Sequence, residues 1–270
     1  SRRPDKSLHR TTYAEVARRA RTLARALVSL GIQKGERVAT LMWNHAQHLE
    51  AYLGVPLSGA VIHTLNLRLH PDDLAFIAND AQDRFLLVDE VLLPLFEKFR
   101  DQCKFEKVIV VGASRPVAAP YSDYEEVLKA APQVDLPQLM ETDALGLCYT
   151  SGTTGKPKGV CYTHRSTLLH CLVSALPDSL KLSRRDTLLP VVPMFHVNAW
   201  GAAYTAFFSG CELIMPQMFL QGEPILNMTK TLRPTVALGV PTVWNDVLRA
   251  GAADPSADLS SLRGILCGGA

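Results

Sequence analysis

A large charge of one sign, a cysteine framework and a long apolar run are all missing from this sequence. Its 28 Lys and Arg nearly cancel its 26 Asp and Glu, leaving a formal charge of +2 over 270 residues. That balance gives no electrostatic footprint for nucleic acid. The densest basic run, Arg18, Arg19, Arg21 and Arg25, falls on one helical stretch and is expected to be its solvated face. The six cysteines, Cys103, Cys148, Cys161, Cys171, Cys211 and Cys267, lie far apart, four of them in apolar or strand-like surroundings. Such spacing speaks for reduced, buried thiols and against a disulfide scaffold. No apolar segment follows Arg2 and Arg3 as a leader would, and no uninterrupted apolar run reaches spanning length. A cytoplasmic chain is the expectation. Internal repeats and low-complexity segments are also lacking.

What is present is ordinary globular material, 47% hydrophobic and 20% charged, enough for one large core or two smaller ones. Tyr13, Val16, Ala20, Leu23, Leu27 and Leu30 recur at helical spacing, with Thr12 and Glu15 suited to a capping box and Gly31 to a left-handed stop. Strand and helix patterns then alternate: strands at 37–42, 61–65, 85–88 and 108–111, helices at 45–57, 71–78 and 91–99. After a proline-bearing stretch the alternation resumes, with strands at 143–148, 159–162, 187–192, 211–215, 236–240 and 263–267. Helices are expected at 165–182, through 196–208, at 225–232 and at 242–248. This is an α/β pattern of mostly parallel sheets flanked by helices. The division it suggests is a first α/β subdomain over 1–111, a connecting segment over 112–142 and a second α/β subdomain over 143–270.

Between the strand patterns at 143–148 and 159–162 runs Tyr-Thr-Ser-Gly-Thr-Thr-Gly-Lys-Pro-Lys-Gly-Val, Tyr149 to Val160. Glycine amides, hydroxyls and ammonium groups of this kind can surround a polyphosphate at the end of a strand. It is not the P-loop of NTPases: only Thr153 and Thr154 separate Gly152 from Gly155, and Pro157 follows Lys156. Two other chemistries fall away. No serine stands in a Gly-x-Ser-x-Gly context. Neither His45 with His48 nor the set Cys161, His164, His170 and Cys171 has metal-ligand spacing.

Tyr149 to Val160, continued by Thr163, His164 and Arg165, resembles the phosphate-binding signature of the adenylate-forming (AMP-binding) superfamily. A second block, Pro193-Met194-Phe195-His196-Val197-Asn198-Ala199-Trp200-Gly201, is similar to that family's substrate-site signature, in wording closest to fatty acyl-CoA synthetases. Asn66-Leu67-Arg68-Leu69 with Asp73 and Leu74, then Gly239-Val240-Pro241-Thr242, and finally Gly268-Gly269-Ala270, fit the same enzymes. The resemblance covers nearly the whole chain, on motifs far more specific than a lone Gly-x-Gly. It implies the large N-terminal part of the fold, without the C-terminal domain.

The resemblance also implies a reaction. A carboxylate attacks the α-phosphate of ATP, giving an acyl-adenylate and pyrophosphate, and the acyl group then passes to coenzyme A. Bringing two anions together requires donors that offset their repulsion. Carried over by position, Thr150, Ser151, Gly152, Thr153, Thr154, Gly155, Lys156 and Lys158 bind the nucleotide phosphates, with Lys158 the stronger catalytic candidate of the two lysines. Thr153 supplies an oxygen near Mg2+. His196, a core residue on any ordinary reading beside Phe195 and Val197, becomes a catalytic group next to the reacting carboxylate. Val197, Trp200, Val240, Pro241 and Thr242 line the acyl side, with Trp200 gating it, and Gly268, Gly269 and Ala270 approach the adenine.

The expectation is therefore a fragment of an ATP-dependent, AMP-forming fatty acyl-CoA synthetase, its ligands ATP, a fatty acid, Mg2+ and CoA. By the resemblance, the metal glutamate, ribose aspartate, hinge and adenylation lysine belong to sequence beyond Ala270, so the isolated chain is expected to be inactive. Peripheral membrane contact and a homodimer stay open. The alternatives are an aryl-acid ligase or other adenylating enzyme, or a truncated nucleotide- or acyl-binding module without turnover. An amino-acid adenylation domain would need an acidic residue for the substrate amine, which Phe195 to Trp200 does not offer.

Overall fold

In the computed structural model, which describes residues 1–150 and 156–269, the first helix, α1 (Tyr13–Ser29), begins as its sequence predicts. Thr12 Oγ1 accepts from the Glu15 backbone N–H at 3.2 Å. Glu15 does not return the bond, because Arg18 holds its carboxylate at 2.7 and 2.9 Å. Gly31, at φ 99°, follows the end of the helix. The stripe Val16, Ala20, Leu23 and Leu27 is buried, and it packs on α2 (Ala46–Leu57), where a Cβ on Gly54 would stand 2.7 Å from the Ala20 carbonyl oxygen. Only glycine permits that approach. Arg19 and Arg25 are both half-buried rather than on a solvated face. Arg19 bonds Glu50 Oε1 at 2.8 Å and Glu125 at 2.7 Å, and the buried Tyr124 hydroxyl donates to Glu50 Oε2 at 2.7 Å.

The first sheet contains β1 (Arg37–Leu41), β2 (Val61–Thr64), β3 (Asp83–Asp89), β4 (Lys107–Val111), β5 (Ser122–Asp123), β6 (Ala144–Thr150) and β7 (Lys158–Thr163). Their order is β5-β4-β3-β1-β2-β6-β7, parallel throughout except that β7 runs antiparallel to β6. Both faces of its central strands are covered, in part by α1, α2, α3 (Pro71–Asp80), α4 (Leu93–Phe96) and α5 (Tyr124–Lys129), which is why β1 to β4 read as continuous apolar runs. The second sheet, β8 (Thr187–Pro190), β9 (Glu212–Leu213), β10 (Val236–Gly239) and β11 (Gly264–Cys267), is wholly parallel in the order β11-β10-β8-β9. Helices α7 (Ala202–Ser209), α8 (Gly222–Leu232) and α9 (Pro241–Ala253) accompany it, whereas α6 (His164–Ala175) touches β6 and β7 of the first sheet as well as α7. Among the described residues no helix is long and apolar enough to cross a membrane.

The α/β class and mostly parallel sheets agree with expectation, but 112–142 is not the seam between sheets. That segment contributes β5 and α5 to the first sheet, and β6 and β7 then join the other side. The physical reason is the free edge of β2, whose backbone donors and acceptors need a partner; β6 supplies it. The sheets change after Thr163. They are locked by Asn44, just past β1, whose amide donates to the Pro190 and Val192 carbonyls at 3.1 and 2.9 Å and accepts from Met194 N–H at 2.8 Å.

Candidate active site

The glycine-rich stretch leaves the first sheet from a hairpin stem. Thr150 faces Lys158 in register, and Thr150 Oγ1 donates to the Lys158 carbonyl at 3.4 Å. Ser151, Gly152, Thr153, Thr154 and Gly155 lie outside the described residues, as does Ala270. Both flanks rest on α3. The Tyr149 hydroxyl donates to Asp80 Oδ2 at 2.6 Å, and the Lys156 ammonium stands 5.0 Å from the Phe76 ring centroid. Phe76 and Asp80 are one helical turn apart and so share a face. Burial, followed by the Asp80 carboxylate, raises the Tyr149 phenol above its ordinary pKa and keeps it a donor. Lys156 thus stands against an aromatic ring, and Lys158 is exposed at the stem.

The second motif departs from expectation. The run from His196 is not one right-handed helix: Val197, Asn198, Ala199 and Trp200 have φ of 46, 50, 49 and 54°, and Gly201 is at 70°. A left-handed turn of this length costs roughly 1–2 kcal/mol per non-glycine residue, so something must hold it. Asn198 does so from inside. Its Oδ1 accepts from Cys148 Sγ at 3.1 Å, and the Thr64 and Tyr52 hydroxyls lie at 3.5 and 3.3 Å, the latter shared with the Met194 carbonyl. From outside, His170 Nε2–H donates to the Trp200 carbonyl at 2.9 Å. A Cβ on Gly201 would lie 2.5 Å from that imidazole, so the position needs glycine for space as well as for φ. Sequence reasoning missed both supports. Asn198 sits inside the quoted motif, but its partners are on α2, β2 and β6.

Turn and stem are thereby joined. Cys148 is two residues before Thr150 on β6, and a Cβ on Gly146 of that strand would be 3.3 Å from Asn198 Nδ2. His196 and Val197 emerge at the surface while Pro193, Met194 and Phe195 stay buried. Crowding by protein, and then the Arg68 charge, lower the His196 pKa from its ordinary value, favouring a neutral imidazole. At the carboxyl ends of β10 and β11 the remaining candidates converge. A Cβ on Gly268 would be 3.8 Å from the Trp200 ring, and one on Gly269, at φ 72°, 3.8 Å from Val240 Cγ1. Pro241 and Thr242 are exposed in the first turn of α9. The candidates from the second sheet thus gather at the ends of its parallel strands, where open α/β sheets take ligands.

The model of the AMP-binding enzyme family matches residues 4–270. A 3-methylmercaptopropionyl-CoA ligase from Ruegeria lacuscaerulensis is 42% identical over 98% of this chain and 50% of its own length. A long-chain-fatty-acid–CoA ligase from Thermus thermophilus is 46% identical over 88% of this chain and 43% of its own. Among solved structures, an anthranilate CoA ligase in complex with anthranoyl-AMP superposes with a TM-score of 0.86 at 25% identity, covering 98% of this chain and 50% of that one. The chain thus spans about half the length of the curated relatives it matches. A family match over almost every residue settles membership: the chain belongs to the AMP-binding enzyme family.

Proposed function

We propose that the whole protein containing this chain is an ATP-dependent, AMP-forming acyl-CoA synthetase acting on medium- or long-chain fatty acids. The observation that carries this reading is the tie between the two motifs, Asn198 of the acid-site turn bonding Cys148 of the strand that opens into the phosphate loop. Groups that must meet a carboxylate and a triphosphate together are held by one scaffold, the arrangement that in-line attack requires.

Lys158 and the loop amides oppose phosphate charge, with Thr150 and Lys158 at the mouth of the stem. His196, favoured as neutral imidazole, hydrogen-bonds the acid and orients one oxygen toward the α-phosphorus. Trp200, half-buried against Gly268, closes the acyl side, and Val240 packs by Gly269 at the nucleotide edge. Of the chain's residues Thr153, which lies outside the described residues, would hold a Mg2+, and such an ion would neutralise phosphate charge. The relatives' names, a fatty-acid ligase and a 3-methylmercaptopropionyl ligase, support an aliphatic acid.

The test is acid-dependent exchange of labelled pyrophosphate into ATP by the whole protein. Exchange with octanoate to palmitate, abolished by EDTA and restored by Mg2+, is the expected result. No exchange with any aliphatic or aryl acid refutes the reading, and exchange with aryl acids alone moves the protein to the aryl-acid class. A binding module without turnover would instead titrate with ATP calorimetrically and exchange nothing.

A further inference from the structure

Arg68 belongs to the Asn66-Leu67-Arg68-Leu69 stretch, which the preceding reading leaves without a task. It lies in the connection from β2 to α3, beyond the carboxyl end of a parallel strand. Its backbone is set locally, since Arg68 N–H donates to Asn66 Oδ1 at 3.1 Å. Its side chain is set by Phe195, whose ring centroid is 5.9 Å from the guanidinium carbon. That ring is a firm platform: Phe195 is 3% exposed and packs edge-on against Trp43 at 5.9 Å. A guanidinium lying over an aromatic face keeps its N–H edge free for a planar oxyanion and loses water from one side. Among the described residues no carboxylate pairs with it. Arg84 and Arg263, by contrast, are engaged by Glu36 and Asp186. The next residue after Phe195 is His196, at which the Arg68 charge is felt.

We propose that Arg68 is an anion-binding residue of this site, taking a carboxylate or phosphate oxygen of the reacting pair beside His196. The inference rests on the acid-activation reading. It adds a cation to a place where two anions must approach. A charge-assisted, forked contact of this kind is worth roughly 10- to 100-fold in affinity.

Arg68→Met and Arg68→Lys in the whole protein, assayed by pyrophosphate exchange with decanoate, test it. The methionine variant should raise KM for one reactant by about 10- to 100-fold, with kcat changing less. Lysine should recover part of the loss, because it restores charge without the fork. A rise confined to decanoate identifies the carboxylate as the bound anion, and a rise confined to ATP identifies phosphate. KM values within about twofold of wild type for both reactants overturn the proposal, as does an equal loss of kcat and thermal stability in both variants. Calorimetric titration with ATP and with decanoate decides the matter without turnover. If wild type exchanges nothing, the acid-activation reading has failed. In that case Arg68 stands only if methionine weakens binding of one anion at least about tenfold, and falls if binding is equal or absent.

Discussion

Replacing Asn198 tests whether the left-handed turn is held by one side chain. Two contributions can be worked from the structure. The first is hydrogen bonding: Asn198→Ala removes the acceptor that Cys148 Sγ meets at 3.1 Å and that the Thr64 and Tyr52 hydroxyls approach at 3.5 and 3.3 Å. Tyr52 keeps its bond to the Met194 carbonyl, so the loss is that of one to two modest bonds in a buried place, about 1–2 kcal/mol. The second is conformational. At φ 50° asparagine is tolerated far better than alanine, a difference of about 1 kcal/mol. Asn198→Ala should therefore destabilise by about 2–3 kcal/mol. Asn198→Gly keeps the left-handed freedom and loses the acceptor, plus a small entropic cost of about 0.5–1 kcal/mol. Chemical denaturation of the three proteins reads both terms. Because Trp200 lies two residues on, its fluorescence reports the turn directly. In the whole protein, displacement of His196 and Trp200 should raise KM for the acid by about 10- to 100-fold. An alanine variant as stable as wild type, with unchanged tryptophan emission, would refute the claim that Asn198 holds the turn.

Three further outcomes follow from the same coordinates. Gly201→Ala places a methyl 2.5 Å from the His170 ring at φ 70°; it should cost about 1–3 kcal/mol, and an unshifted urea midpoint would show that His170 simply swings away. Glu50→Ala leaves the buried Tyr124 hydroxyl without its acceptor and Arg19 with Glu125 alone, for an expected loss of about 1–3 kcal/mol, and a double-mutant cycle with Arg19→Ala reads how much of it belongs to the Arg19–Glu50 pair. Burial, then the neighbouring His45, push the His48 pKa down to about 3, and the neutral ring is satisfied by the Trp43 carbonyl at 2.9 Å and the Thr40 hydroxyl at 3.0 Å. The folded state then binds fewer protons than the unfolded one between pH 6.5 and 3, so stability falls as pH falls through that window, by up to about 1.4 kcal/mol per pH unit. His45, whose pKa is raised because Asp89 outweighs its burial, contributes stability present below pH 6.5 that is lost only as pH rises. His48→Gln should therefore flatten the acid side of the stability curve, and identical slopes for both proteins would remove His48 as the cause.

Local patterns were enough for much of the architecture. The spacing of Val16, Ala20, Leu23 and Leu27, with Thr12 and Gly31 as punctuation, places α1 within a residue at either end. The apolar strands at 37–41, 61–64, 107–111 and 236–239 emerge close to their expected bounds. These signals are legible because backbone geometry repeats every 3.6 or 2 residues and burial writes that period into side-chain type. Short-range patterns failed where partners are distant. The 91–99 segment reads as a helix, yet it holds only the end of a 3-10 turn and the short α4, with 97–99 in turns. The 211–215 strand shrinks to Glu212–Leu213.

The sequence by itself determined the α/β alternation, the two strands flanking the glycine-rich stretch and the family resemblance, since each is carried by residues close together along the chain. Tertiary structure alone decided that β6 fills the free edge of β2, that α3 grips Tyr149 and Lys156, and that residues 197–201 turn left-handed. Those outcomes depend on contacts such as Asn198 with Cys148 and Tyr149 with Asp80, 50 and 69 residues apart in sequence. No period or motif encodes such pairings; they exist only when folding brings a buried polar atom to a partner that spares it the cost of desolvation.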